Sequence, residues 1–494
     1  MPLLFMNQVT SFFNPKDRIS AEMSSLTLPF DVWREVIQHL PLHALLSICL
    51  VNKIFYFYAQ PFIFEHFVVR PKGQLKTLAA SFRKSLEFLQ SPRIAWAVRH
   101  FHVDLSAFPH TKMVQSASDI VLGEFADCAS AFPNLRRFTF VSVYINLPVL
   151  SKLQRLLVPF TLALKSCIFA SELTKTNLDI PINDLRFTDS SPFIEYATPR
   201  RRYPELFLRT EHLKSIVAGK EYAETALIEM ADSIRPFTRL THLEFPTESC
   251  CSSHLIAVLS LCPNLEVLKF NGRVASHSHL HDSHTRFPTT FLPNLKSFTG
   301  PLVFVNQLFL SNQLSPRHDL RSITICLSSN FSLHASDRSD CIEGDLFGTL
   351  NLLPDTITTL NFVALPLLGP EGLLTQIQGA TLKHLGVNCD PHYYVQCLRP
   401  DQFVKRLKES RDKIPDTLEE LTIGIQIKDP FQCKNGKIKE LMVKQEAEIL
   451  SETSFGTIPN LRTLKVWYWA KPAPRWVAWE KQVNGRIDAF WQRP

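Results

Sequence analysis

The chain has 494 residues, 45% of them hydrophobic, and a net charge of +7 from 53 basic and 46 acidic side chains. That balance belongs to a globular protein and excludes global disorder; the length suits a few ordinary domains, or one small domain followed by a repeat array. Glycine is scarce, 15 in all, about 3% where ~7% is usual, and the sequence lacks GxxxxGK[ST], GxGxxG, GxSxG and HExxH, which speaks against nucleotide, hydrolase and metalloprotease chemistry.

Residues 430–494 hold 11 Lys/Arg against 6 Asp/Glu and so carry +5 of the net charge. The acids are interspersed, so this end reads as a solvated surface and not as a nucleic-acid site. The 11 cysteines run from Cys49 to Cys433 without a CxxC pair, a usage that fits a reducing compartment, the cytoplasm and/or the nucleus. No run of 18 apolar residues is present and the start lacks a basic, then apolar, leader, so neither a membrane partner nor secretion is expected.

In chain order, residues 1–25 read as an N-terminal extension, followed by a compact apolar unit at 26–66. Pro29 suits the first position of a helix, Asp31 favours its positive end, and Trp33, Val36, Ile37 and Leu40 form its apolar stripe. Pro41 breaks that helix. Leu42, Leu45, Leu46 and Cys49 then line a second, and Asn52 can cap a third that is expected to stop before Pro61. Three short helices in about 40 residues sit near the lower size limit for an independent core, so the unit is expected to lean on a partner.

This unit resembles the F-box family. The matches are Leu28-Pro29, Asp31, Ile37, Leu40-Pro41, Leu45-Leu46, Val51-Asn52-Lys53, Phe55 and the stretch from Pro61 to Phe64; Ala44 and Ile54 depart from the pattern, where an acid and a basic residue are usual. The resemblance implies docking of a Skp-family adaptor, and through it a cullin, by Leu28, Pro29, Ile37, Leu40, Pro41, Leu45, Leu46, Val51, Asn52, Phe55 and Phe64.

Residues 67–131 read as a helical linker, with helical patterns near 75–89 and 117–131. From residue 132 to 470 a frame L-x-x-L-x-Φ recurs, Φ being apolar. It starts at Leu135, Leu240, Leu265, Leu295, Leu320, Ile357, Leu382, Leu418 and Leu461, with weaker copies at Ile182 and Leu213. Several steps are 25 residues, inside the leucine-rich-repeat window, while the longer ones call for insertions or unseen copies. Helical stretches at 221–234, 254–261, 347–353, 403–411 and 438–450 alternate with the frames. The expected fold class is therefore α/β: a three-helix F-box followed by a curved leucine-rich-repeat solenoid, parallel strands inside and helices outside. The order of the two parts resembles F-box/leucine-rich-repeat substrate receptors.

Four further clusters stand out in the sequence. The run HSHLHDSH, with His277, His279, His281 and His284, fits a solvated loop better than a metal site, and no metal or cofactor is expected. Residues 328–340 read as a loop, as do Arg200, Arg201 and Arg202. Five of the seven tryptophans fall from Trp467 to Trp491, and residues 471–494 are expected to cap the last repeat.

Strand alternation turns the residues flanking the frame's apolar positions onto the concave face. That face is nearly neutral and hydroxyl-rich in its middle, which points to a protein target and away from nucleic acid. Its expected contacts are His242, Lys269, Thr299, Thr324, Asn361 and His384. The reading is a non-catalytic subunit of an SCF-type (Skp–cullin–F-box) ubiquitin ligase that selects targets for ubiquitination and ubiquitin-dependent degradation; the alternative is a non-ligase F-box interaction scaffold.

Overall fold

The computed structural model describes residues 30–51, 53–71, 75–108, 110–156, 158–170, 180–188, 207, 211–233, 235–247, 249, 254–271, 292–314, 319–327, 339–365, 370–389, 409–426, 460–470, 473–481 and 487–492. Two compact units divide the chain, residues 1–213 and 214–494.

The first unit opens with three helices: α1 (Phe30–Gln38), α2 (Leu42–Cys49) and α3 (Lys53–Ile63). Pro41 stands at the start of α2 in an extended conformation, φ −67° and ψ 154°. Its carbonyl accepts the first bonds of the helix, from Ala44 N at 2.9 Å and Leu45 N at 3.0 Å. The expected stop before Pro61 is corrected: Pro61 lies inside α3. Proline has no N–H to bond the turn before it and its ring crowds the carbonyl four residues back, but Phe64 N still reaches Gln60 O at 3.1 Å, so the last turn closes beyond it.

Five parallel strands follow in the order β1 (His66–Val69), β2 (His100–Asp104), β3 (Arg137–Val141), β5 (Phe160–Lys165) and β7 (Ile182–Thr188), while β4 (Tyr144–Ile145) and β6 (Ile168–Phe169) form a separate pair. The linker expected at 67–131 is therefore not purely helical. It holds the helices Leu75–Leu89 and Thr111–Cys128, but β1 and β2 already belong to the sheet. The frame begins earlier, spelled with Phe and Val: Phe64-x-x-Phe67-x-Val69 and Val98-x-x-Phe101-x-Val103. Likewise β5 is the unseen copy in the long step between Leu135 and Ile182. Aromatic rings fill this core; Phe101 stacks on Phe125 of the helix Thr111–Cys128 at 3.6 Å, and Phe138 meets Phe160 edge-on at 4.7 Å.

The second unit continues the same construction: β8 (Ser215–Ala218), β9 (His242–Pro246), β10 (Val267–Asn271), β11 (Ser297–Pro301), β12 (Ser322–Cys326), β13 (Thr359–Leu365), β14 (His384–Cys389), β15 (Glu420–Gln426) and β16 (Thr463–Ala470) run parallel in sequence order. Each frame leader from Leu240 to Leu461 is buried two residues before its strand, and in frames such as Leu320, Ile323 and Ile325 the next two apolar positions are buried with it. Burying such a side chain stabilises the fold by about 1.5–3 kcal/mol. The helices back this buried side: Phe304, on the helix Leu302–Leu314, lies 6.0 Å from Phe270 of β10. The helix expected at 221–234 runs Lys220–Ala231, that at 254–261 runs Leu255–Ser260, and that at 347–353 starts earlier and runs Ser339–Leu350. Most of 403–411 and all of 438–450 lie outside the described residues.

At several leaders the side chain just before it ties the turn to the one before. Asn264 Nδ2 donates to Thr238 O at 2.7 Å, Asn460 Nδ2 to Asp416 O at 2.7 Å, and Thr417 Oγ1 takes the role toward Leu382 O at 2.7 Å. Gly300 explains the one frame that ends without an apolar residue. A Cβ there would sit 2.7 Å from Phe298 Cζ and 3.1 Å from Phe270 Cδ2, because those rings already fill the space. Residues 471–494, expected as a cap, hold β17 (Ala473–Lys481) and β18 (Ile487–Gln492), which extend β16 by two antiparallel strands, Trp467 pairing with Trp476 in the register.

Candidate protein-docking surfaces

The three N-terminal helices close on a small core of Ile37, Leu45, Cys49 and Ala59, ringed by Leu40, Phe55, Tyr56, Tyr58, Phe62 and Ile63. Trp33 meets Phe55 edge-on at 5.0 Å. This changes the part played by several residues expected to touch the adaptor. Ile37 is 0% and Leu45 4% exposed, so both hold the helices together from inside. Leu40, Leu46 and Phe55 are half-buried, and Phe64 turns to Phe88 of the helix Leu75–Leu89, ring centroids 5.9 Å apart. Pro41 and Val51 do face solvent; Leu28, Pro29 and Asn52 lie outside the described residues.

The apolar side chains that the helices leave in water are Val32 and Val36 on α1, Leu42 on α2, Leu50 and Val51 in the turn after it, and Phe57 on α3. Leu50 is 60% and Val51 67% exposed. Scattered exposed apolar residues are ordinary, but six between Val32 and Phe57 are a dense set for one small helical unit. Periodicity had picked out Val36 and Leu42 as apolar without showing which side of each stripe turns inward; Val32, Leu50 and Phe57 it did not single out. Arg93 lies over the Phe57 ring at 5.4 Å. The Cys49 thiol beneath is pushed up to about 11 by burial, so it is a core group and no nucleophile.

On the second unit, register settles which outward residues adjoin. His242, Val267, Ser297, Ser322, Thr359, His384 and Glu420 form one row across β9–β15. Glu244, Lys269, Thr299, Thr324, Asn361, Gly386 and Thr422 form the next. The expected target contacts are thus brought together: Lys269, Thr299, Thr324 and Asn361 are consecutive, and His242 and His384 lie in the neighbouring row. The Asn361 amide rests over Gly386, whose missing side chain makes room for it. Polar pairs bracket this stretch. His242 Nε2 is 3.5 Å from Glu244 Oε2, and Asn271 donates to the same carboxylate. The His242 hydrogen bond, aided by Lys269 and Asn271 against the cost of burial, holds Glu244 below the usual carboxylate range. At the other end Lys465 Nζ lies 2.6 Å and His384 Nδ1 3.5 Å from Glu420. Burial is the largest single influence on Glu420 and opposes its charge, yet Lys465, His384 and Thr422 together outweigh it and lower its pKa.

The first unit carries a group that sequence reasoning missed. His66 Nδ1 lies 2.9 Å from His100 Nδ1, and His100 Nε2 lies 2.9 Å from Thr139 Oγ1. Burial first, then Arg137, His66 and His102, pushes His100 down to about 4. His102 is lowered by burial and then by Arg70. The alternation in HFHVD was the available signal. Among the described residues no three His, Cys, Asp or Glu side chains are placed to hold a metal ion, and no helix is long and apolar enough to cross a membrane. The 277–284 histidine run and Arg200 to Arg202 lie outside the described residues.

Known families bear directly on the helical unit. Residues 25–64 are an F-box domain. The match covers the whole three-helix core and every exposed apolar residue named on it. No curated protein matches the chain. Among solved structures, the chain is similar to a TLR13–ssRNA13 complex at 14% identity and TM-score 0.34, over 68% of this chain and 43% of that one. It is also similar to an internalin (InlF) of Listeria monocytogenes at 14% identity and TM-score 0.27, over 68% of this chain and 74% of that one. The chain thus spans less than half of the TLR13 chain.

Proposed function

We propose that this chain is the substrate-recognition subunit of an SCF-type ubiquitin ligase. The F-box would dock a Skp-family adaptor, the adaptor a cullin, and the open face of the repeats would hold a protein target. The observation that carries the reading is the coincidence of the F-box match with apolar side chains left uncovered on the same helices. The chain makes and breaks no bond itself. It tethers the target beside the ubiquitin-charged enzyme, and tethering turns a rare encounter into a high effective concentration.

The polar row on β10–β13 supports the second half of the reading. Thr299, Thr324 and Asn361 are small and half-buried, cost little to desolvate when each finds a partner, and leave no field that would favour a polyanion.

Two measurements test the proposal. Purified chain should co-purify with a Skp adaptor and a cullin, and the assembly should ubiquitinate a protein captured by the chain. Changing Thr299, Thr324 and Asn361 together to Arg should abolish target capture and leave the adaptor bound. Adaptor capture with no ubiquitination of any captured protein would favour the non-ligase scaffold, and cross-links to the target confined to residues 467–494 would move the target site off the repeat face.

A further inference from the structure

His66 and His100 lie 34 residues apart and meet because β1 and β2 run in register. Both point to the open face of the first unit, since Phe67 and Val69, and Phe101 and Val103, are the buried side of these strands. The two rings stand at 74° to each other, and their Nδ1 atoms converge to 2.9 Å. His100 Nε2 turns the other way, to Thr139 Oγ1 at 2.9 Å. As a hydrogen bond, the Nδ1 contact needs a hydrogen on one nitrogen and a lone pair on the other. A neutral imidazole carries its one hydrogen on either nitrogen. With both hydrogens on Nε2, two lone pairs aim at one point, and His100 Nε2–H donates to the Thr139 hydroxyl. That is the arrangement of a metal-binding histidine, whose far N–H is held by an acceptor that fixes tautomer and ring.

The dimensions fit a metal ion. An ion about 2.0–2.1 Å from each nitrogen sees donors 2.9 Å apart at an angle of about 90°, the cis angle of a tetragonal or octahedral centre. A tetrahedral centre needs the nitrogens about 3.3 Å apart, an opening that His66 supplies by turning its ring, because it is exposed on the first strand of the sheet. His100 sheds no proton to bind, since burial first, then Arg137, His66 and His102, holds its pKa at about 4. Beside the pair, His102 keeps a buried Nε2 without a hydrogen-bond partner, its ring centroid 6.0 Å from that of His100. Arg137 faces His100, and Arg70 and Lys165 face His102; these charges oppose a cation, so the site is an exchangeable one and not a structural clamp.

We infer that His66 and His100 together bind a late first-row divalent metal ion through their Nδ1 atoms, with Thr139 as the acceptor behind His100 and the remaining coordination positions open to water on the face. Imidazole nitrogens suit copper, nickel and zinc, and for a given set of donors copper(II) binds the most tightly of the three. Magnesium and calcium, which take oxygen donors, are excluded by the same chemistry. The site uses two protein ligands and stands apart from the ligase reading, since neither the F-box helices nor a target takes part in it.

The test uses the untagged full chain carrying His277→Gln, His279→Gln, His281→Gln and His284→Gln, so that this histidine run takes up no ion. Calorimetric titration with copper(II), nickel(II) and zinc(II) chlorides at neutral pH should show one binding site, tightest for copper. His66→Gln and His100→Gln should each lose at least tenfold in affinity. Thr139→Val keeps both ligands and removes the acceptor, and should lose about tenfold. Arg137→Gln removes a facing charge and should bind at least threefold more tightly. The electron paramagnetic resonance spectrum of the copper(II) form should show two nitrogen donors in this chain and one in His66→Gln. His66 is exposed on an edge strand, so His66→Gln should melt like its parent in the absence of metal, and its loss of affinity then reports the site and not the fold. Absence of binding by all three ions, or affinity unchanged in both histidine variants, would overturn the inference.

Discussion

The F-box surface offers a prediction that separates docking from folding. Leu50 and Val51 keep 60% and 67% of their surface in water. Fully burying one such side chain contributes about 1.5–3 kcal/mol, so covering the remaining two-thirds is worth about 1–2 kcal/mol each. Changing both to Asp should therefore cost the adaptor complex about 2–4 kcal/mol, or roughly 30- to 1000-fold in Kd, at 1.4 kcal/mol per tenfold. Leu45→Ala is the contrast. Leu45 lies inside the core, and its truncation costs about 2–5 kcal/mol of folding stability, a large share of what a small helical unit commands. Titrating purified adaptor against each variant gives the affinities, and amide hydrogen exchange over α1–α3 reports whether the helices persist. The surface pair should lose affinity with protection intact; Leu45→Ala should lose both. Unchanged adaptor affinity in the surface pair, with the helices still protected, would falsify the assignment of this face.

Three further outcomes follow from the structure. Gly300→Ala should destabilise the second unit by about 1–3 kcal/mol, because Phe298 cannot yield without moving Phe270; an unchanged urea midpoint would show that the rings adjust freely. His100 has a folded pKa of about 4, below its unfolded value of about 6.5, so the unfolded chain takes up the proton first. Stability of the first unit should be full above pH 6.5 and decline as pH falls toward 4, by about 1 kcal/mol once half-exposure is discounted, and His100→Gln should flatten that slope in denaturant titrations at several pH values. Glu420 carries a lowered folded pKa, so its contribution is present above the ordinary carboxylate range and lost as pH falls through the folded value; the melting difference between the parent and Glu420→Gln should be clear at neutral pH and vanish in acid.

How much of this was legible depended on which physical signal the residues carried. The strands headed by Leu135, Leu240, Leu265 and Leu320 were visible because each leader is a leucine with a buried partner three residues on. The same frame at Phe64 and Val98 went unread, since Phe and Val satisfy the burial but not the leucine spelling, and a strand of four or five residues leaves few positions to vote. The outward rows could be assigned to a face from alternation alone, but their register could not. That Lys269, Thr299, Thr324 and Asn361 adjoin is set by strands 25 to 37 residues apart coming into step. The division of the F-box stripe was beyond reach for a different reason: three helices with apolar faces wider than their shared core must leave some of that face outside, and which part depends on how they cross. Ile37 and Val36 are neighbours in sequence, yet one is sealed and the other is not.

The two kinds of surface imply different ways of binding. The F-box side chains gain by leaving water, a non-directional effect that tolerates exchange of one apolar residue for another and suits a partner that never changes. The row from Lys269 to Asn361 gains little from burial. Its hydroxyl, amide and ammonium groups reward a ligand only when each hydrogen bond is completed, and an uncompleted one costs about 1–3 kcal/mol. Such a face rejects wrong partners more strongly than it attracts right ones, which is the behaviour the proposed function asks of it. The repeats supply the rigidity this requires: Lys269, Thr324 and Asn361 are each flanked along their strands by buried apolar residues, so the spacing of the row is fixed by the core beneath it. A core substitution such as Ile323→Ala would then act on recognition by loosening the pitch between Thr299, Thr324 and Asn361, with no contact to the target at all.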